Sequence, residues 1–261
     1  MKVSVCLTYY NRKQLLINTL ESIKQSLVLA DTEIIIVDDA SDPEHRIESV
    51  IDSYSNDMNI LFHRFEPHEK TWSLQIPAHN KSIAMATGDI VIQQGAECYN
   101  VCDVISHAYH EIQPNDYLVY GCYALTDADT NCLTLATQTS TKFQPEINNE
   151  CNWDTMYTKG GWYQHSIYRP SNLNFCTAIC RDDLLQLGGF DERFSNGIGG
   201  GDMEFLLRIQ RKGMNIVAID DQYVYHQYHM PTQYISYDPN HSLYYDTVIH
   251  ETNIHVNNSY I

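Results

Sequence analysis

Glu33-Ile34-Ile35-Ile36-Val37-Asp38-Asp39 sets four bulky aliphatic residues in a row and ends them with two carboxylates. A short apolar run of this length reads as a buried strand. Upstream, residues 3–8 form another short apolar strand. Between the two, Asn11 stands as a helix cap with Gln14 three residues on, a capping-box spacing. The helix it would open carries Leu15, Leu16, Leu20, Ile23 and Leu27 on one stripe. Downstream, Asp42-Pro43 starts a second helix through Ile47, Val50 and Ile51, and residues 60–65 make a third strand. Strand, helix, strand, helix, strand is the order of a parallel sheet with crossover helices. Such sheets bind ligands at the carboxyl ends of their strands, near a reversal of strand order, and Asp38 and Asp39 stand at such an end.

Further along, a small-residue stretch, 83–88, feeds a strand over 89–93, then Gly95-Ala96-Glu97. A helix is expected over 101–112 and a strand over 117–123. From 127 to 168 the periodicity fades, and a structureless stretch of that length predicts a functional insertion. Order returns with a strand at 173–179, a short helix at 182–187 ending on Gly188-Gly189, and a helix at 202–212 stopped by Gly213. Strands at 216–219 and 223–226 follow, and then a polar, Tyr-rich tail.

The 261 residues carry 16 Lys plus Arg against 33 Asp plus Glu, a net charge of −17. Such a chain is a poor partner for nucleic acid or an anionic membrane. An anionic ligand would need a local counter-charge, and a divalent cation supplies one. No integral membrane segment is expected, since no apolar run approaches ~18 residues. The eight cysteines are scattered; the pairs Cys98/Cys102 and Cys176/Cys180 have a spacing open to zinc, but buried free thiols are the expectation. With no leader-like start, the expected location is cytoplasmic.

Four segments in order resemble the inverting glycosyltransferases of family 2. They are Val3-Ser4-Val5-Cys6-Leu7-Thr8-Tyr9-Tyr10-Asn11-Arg12; residues 33–41; His79-Asn80-Lys81 with Gly88-Asp89; and Leu187-Gly188-Gly189-Phe190-Asp191-Glu192-Arg193-Phe194 with Gly201-Asp202-Met203-Glu204. The resemblance spans roughly residues 1–230. It implies the GT-A (Rossmann-like) α/β fold, a single α/β/α sandwich on a mostly parallel central sheet. Residues 1–100 would bind a nucleotide-sugar donor, 101–230 would bind the acceptor and hold the catalytic group, and 231–261 form a tail without assigned role.

The resemblance also implies a site. Asp38 or Asp39 would accept a hydrogen bond from a uracil imide, which fits a UDP-sugar. Thr8, Tyr10 and Asn80 would complete the donor side. Where the family carries Asp-any-Asp this chain has Gly95-Ala96-Glu97, so Glu97 is left as the metal carboxylate, with His226 a late ligand and His229 a weaker candidate. A carboxylate with an imidazole favours Mn²⁺ over Mg²⁺. Asp202, at a helix start, would be the general base, or simply a carboxylate favoured by the helix dipole. Trp162 and Tyr163 would offer an aromatic platform to a saccharide acceptor or else pack in the core; Glu204 would touch an acceptor hydroxyl or be structural. Two rivals remain: an inactive glycan- or nucleotide-sugar-binding module, favoured by Gly95, and a nucleotidyltransferase, disfavoured because residues 8–13 lack glycine.

Overall fold

The computed structural model describes residues 1–150, 152–230 and 238–261, so Cys151 and the start of the tail lie outside the described residues. The elements, in order, are β1 (Val3–Tyr9), α1 (Lys13–Ile23), β2 (Thr32–Asp38), α2 (Glu48–Tyr54), β3 (Asn59–Arg64), α3 (Ile76–Met85), β4 (Ile90–Gly95), β5 (Cys98–Asn100) and α4 (Val104–Glu111). Then come β6 (Asp116–Ala124), α5 (Asp127–Thr139), α6 (Trp153–Lys159), β7 (Gly161–Gln164), β8 (Cys176–Cys180), α7 (Arg181–Leu187), α8 (Gly201–Lys212), β9 (Asn215–His226) and α9 (Asp238–Ser242).

One sheet runs β3-β2-β1-β4-β8-β6-β9-β5, with β7 on β6. It is parallel from β3 to β4 and again at β6–β9; β8, β5 and β7 pair antiparallel. Val3, Val5, Leu7 and Tyr9 of β1 point to one face, under α1 and α4, while Cys6 joins the opposite cluster with α3, α7 and α8. The period-2 alternation of a strand thus builds the two apolar layers of the expected α/β/α sandwich. Strand order reverses between β1 and β4, which favours a ligand crevice beyond the carboxyl ends of the parallel strands.

Several local expectations change. Asn11 does not cap α1: it adopts φ 53° and clasps Asp42 through two hydrogen bonds, 2.7 and 2.9 Å, tying the loops after β1 and β2 together. Leu16, Leu20 and Ile23 are buried as expected, but Leu27 lies beyond the helix and in solvent. The stretch 127–168 is not a structureless insertion. It holds α5, opened by Thr126, whose hydroxyl accepts from the Asp129 amide at 3.1 Å and donates to its carboxylate at 2.7 Å. The two strands expected at 216–219 and 223–226 are one, β9, whose register against β6 shifts between Tyr120 and Gly121.

The far end of the sheet is locked by a buried carboxylate. Glu33 accepts from Lys2 Nζ (2.5 Å), Ser4 Oγ (2.6 Å) and the Thr87 amide (2.7 Å). Burial would raise its carboxyl, but these donors outweigh burial and draw it from 4.5 to about 2. A group lowered on folding stabilises above its unfolded pKa, and that stability fades as pH falls from about 4.5 towards 2. Glu33→Gln should lower unfolding free energy at pH 7 by roughly 2–3 kcal/mol and flatten the acid limb of a urea-denaturation series. A variant whose acid limb matches the native chain would contradict this.

The tail folds back on the turn between α7 and α8. Val256 donates to Leu187 O at 3.1 Å, Glu251 pairs with Arg193 at 2.8 Å, and Ser259 bonds Glu192 at 2.7 Å. Asn240 is buried and donates to Phe194 O (2.9 Å) and Gly199 O (2.8 Å).

Candidate active site

Beyond the carboxyl ends of β1 and β2 lies a cleft of about 310 Å³, lined among others by Tyr10, Arg12, Asp39, Lys70, His79 and Asp202. Each side chain arrives from a loop at a strand's carboxyl end or from a helix start. Asp39 directly follows β2, and its amide is held by Tyr9 O at 2.8 Å. Its carboxylate takes Lys70 Nζ and Trp72 Nε1, both at 2.7 Å. Burial raises its pKa, with Lys70 and Trp72 opposing. The Lys70 ammonium also stands 4.1 Å from the centre of the Tyr10 ring, a cation–π contact.

A second group sits beside Arg12. Glu97 occupies the turn between β4 and β5, and β5 pairs with β9 so that Cys98 faces His226. This register brings His226 Nε2 to 3.4 Å and His229 Nε2 to 3.7 Å from Glu97 Oε1. Arg12 Nη1 reaches the same oxygen at 3.1 Å. Among the described residues this trio is the one group of three metal-type ligands within reach of one another, all within 4.8 Å. The paired cysteine spacings form no such group. Burial works to raise the Glu97 carboxyl; Arg12 first, then the two histidines, overcome it and hold it well below the usual range. Burial lowers His229 to about 4, so it is a neutral imidazole at pH 7, the form that ligates metals.

Gln227 fixes this geometry. Its main-chain N–H and its Nε2 both donate to Glu97 O, at 3.1 and 3.0 Å, while Asn18 Nδ2 donates to its Oε1 at 2.7 Å. Gln227 and Asn18 are fully buried. The Gly95 departure has a local reason: a Cβ there would stand 3.2 Å from the Glu97 carboxyl, so Glu97 already uses that space.

Asp202 lies in the first turn of α8, after Gly200 at φ 82°. It makes no hydrogen bond to another described residue. The cleft walls displace bulk water around it and raise its carboxyl to about 6. The side chain still meets solvent in the open cleft, which tempers that shift.

Other expected site residues stand elsewhere. Thr8 is buried within β1 between Val37 and Gly95, away from the cleft lining. Asp38 is also buried, and accepts from the Ser41 amide at 2.9 Å, so it shapes the loop while Asp39 faces the cleft. Asn80 is fully buried and exchanges hydrogen bonds with Phe190 N and O at 2.8 and 2.9 Å; its neighbour His79 is the residue that lines the cleft. Glu204 is buried in an ion pair with Arg208, which also donates to Leu187 O and Gly189 O. Trp162 and Tyr163 form no exposed platform: Trp162 packs on Tyr123 and His165, and Tyr163 stacks on Phe175 and meets His226 edge-on at 4.9 Å. Arg12, Lys70, Trp72 and His79 received no role from the sequence. Arg12 and His79 stood inside quoted motifs without being assigned a part; Lys70 and Trp72 carried no signal.

The family model described as glycosyltransferase like family 2 matches residues 3–248. A chondroitin synthase of Escherichia coli is 24% identical over 249 residues, covering 86% of this chain and 34% of that protein, so the chain spans about a third of this relative. Among solved structures, GalNAc-T7 with UDP, GalNAc and Mn²⁺ matches 88% of this chain and 44% of its own, at TM-score 0.61 and 18% identity. The mannosyltransferase PcManGT of Pyrobaculum calidifontis, with GDP-Man and Mn²⁺, matches 90% and 58%, at TM-score 0.55 and 17% identity. These structures share the α/β fold. No helix among the described residues is long and apolar enough to cross a membrane.

Proposed function

This chain belongs to the family-2-like glycosyltransferases, and on that premise we propose that it transfers a sugar from a UDP-sugar to a hydroxyl of a glycan or other saccharide, by direct displacement with inversion. The observation that carries this is the sharing of one cleft by Asp39, Tyr10, Arg12 and Asp202, with the Glu97 cluster joined to it through Arg12. Residues 1–100 serve the donor and 101–230 the acceptor. Asp39 keeps lone pairs for a uracil imide N–H beside those given to Lys70 and Trp72, and Tyr10 lies against the base. A saccharide acceptor is in keeping with a chondroitin synthase as relative.

Glu97, His226 and His229 would hold a divalent ion, Mn²⁺ before Mg²⁺ because two of three donors are imidazoles. When bound, that ion offsets charge on the departing diphosphate. Asp202 takes the proton of the acceptor hydroxyl as its oxygen bonds the anomeric carbon; the bond from that carbon to the diphosphate breaks, and its electron pair leaves with UDP. The seven free cysteines among the described residues fit a reducing compartment, and we place the enzyme in the cytoplasm.

The test is nucleotide release from a panel of UDP- and GDP-sugars with saccharide acceptors, in Mn²⁺ or in EDTA. Release from a UDP-sugar that EDTA abolishes is the expected result. Donor binding without release, whatever acceptor is added, would favour a binding module.

A further inference from the structure

We infer that Arg12 is an exchangeable counter-ion: it holds Glu97 until a metal arrives, and it then turns to the donor's diphosphate. This rests on the metal role proposed for Glu97, His226 and His229. Three groups converge on one atom, Glu97 Oε1, with Arg12 nearest at 3.1 Å. A cation ligated through that oxygen competes with Arg12 for it, and two positive charges so close repel.

The charge of the cleft points the same way. Its two basic side chains are both committed, Arg12 to Glu97 and Lys70 to Asp39. With Asp202 added, two cations face three carboxylates, so a diphosphate would enter a region already one charge negative. A divalent ion on Glu97 reverses that sign and frees a guanidinium whose planar fork suits two phosphate oxygens. Arg12 needs no new path, because its side chain already borders both the cleft and the cluster. Metal and nucleotide therefore bind cooperatively, and by linkage each raises the other's affinity by the same factor.

The experiment measures Mn²⁺ binding by the loss of its free-ion paramagnetic resonance signal, with and without saturating UDP, in the native chain, Arg12→Gln and Glu97→Gln. UDP should tighten Mn²⁺ binding to the native chain by about tenfold or more. Arg12→Gln should bind Mn²⁺ alone about tenfold more tightly than native, yet gain little from UDP and bind UDP more weakly. Glu97→Gln should lose Mn²⁺ binding. If Glu97→Gln loses it and Arg12→Gln binds Mn²⁺ no more tightly than native, the exchange is wrong and the metal site stands. Unchanged Mn²⁺ binding in Glu97→Gln would remove the metal site and the exchange together. The native chain alone also decides the matter should Arg12→Gln not fold, since equal Mn²⁺ affinity with and without UDP overturns the exchange.

Discussion

Asp202→Asn should lower kcat for sugar transfer by roughly 10²–10⁴-fold, the usual worth of a positioned general base, while leaving the dissociation constants of UDP and Mn²⁺ within about twofold. The amide is nearly isosteric and cannot take the acceptor's proton. No hydrogen bond within the described residues is lost, so thermal stability should hold. The same residue sets a pH limit. With its carboxyl raised towards about 6, the native kcat should fall as pH drops below that value, because the base is then protonated. Of the other groups that line the cleft, His79 is kept neutral at about 4 by burial, while Asp39 is also raised by burial, so a limb that belongs to Asp202 must persist in Asp39→Asn. A pH–rate profile flat between 5 and 8, or an active Asp202→Asn, would remove Asp202 from the role.

Glu97→Ala should cost about 10²–10³-fold in kcat/KM, the scale of losing charge stabilisation on a leaving group. It differs from Asp202→Asn in its signature: Mn²⁺ binding is lost, and added metal restores little. His226→Ala and His229→Ala should each weaken Mn²⁺ less than Glu97→Ala, since the carboxylate is the charged ligand. Transfer by Glu97→Ala at the native rate, still abolished by EDTA, would place the metal elsewhere.

The parallel core of the fold was legible because its signals are local. The run 33–39 announces β2, and its two carboxylates mark the ligand end; the stripe Leu16, Leu20, Ile23 announces α1. Helix α5 was hidden because it buries just Thr130, Leu133 and Ala136, a thin stripe in a Thr-, Asn- and Gln-rich segment. Its one local mark was Thr126 three residues before Asp129. In the site, Glu97, His226 and Asp202 were named through motif resemblance. Lys70 and Trp72 were not, because what ties them to the site is their bonds to Asp39, about 30 residues away in sequence. Asn80 and Glu204 show the converse: polar residues inside quoted motifs whose every strong bond goes to their own chain.

The brace on the turn before α8 comes from residues that follow β9 in the sequence. Tyr10, Arg12, Asp39, Lys70 and Glu97 leave the ribosome early, whereas Asn240, Glu251 and Val256 emerge after β9 is complete. A nascent polypeptide can therefore pair its first strands and bring together the residues proposed to face the nucleotide while the glycine turn leading to Asp202 still lacks its supports. On the proposed function, a nascent chain that has not yet reached residues 240–256 would hold a donor without spending it.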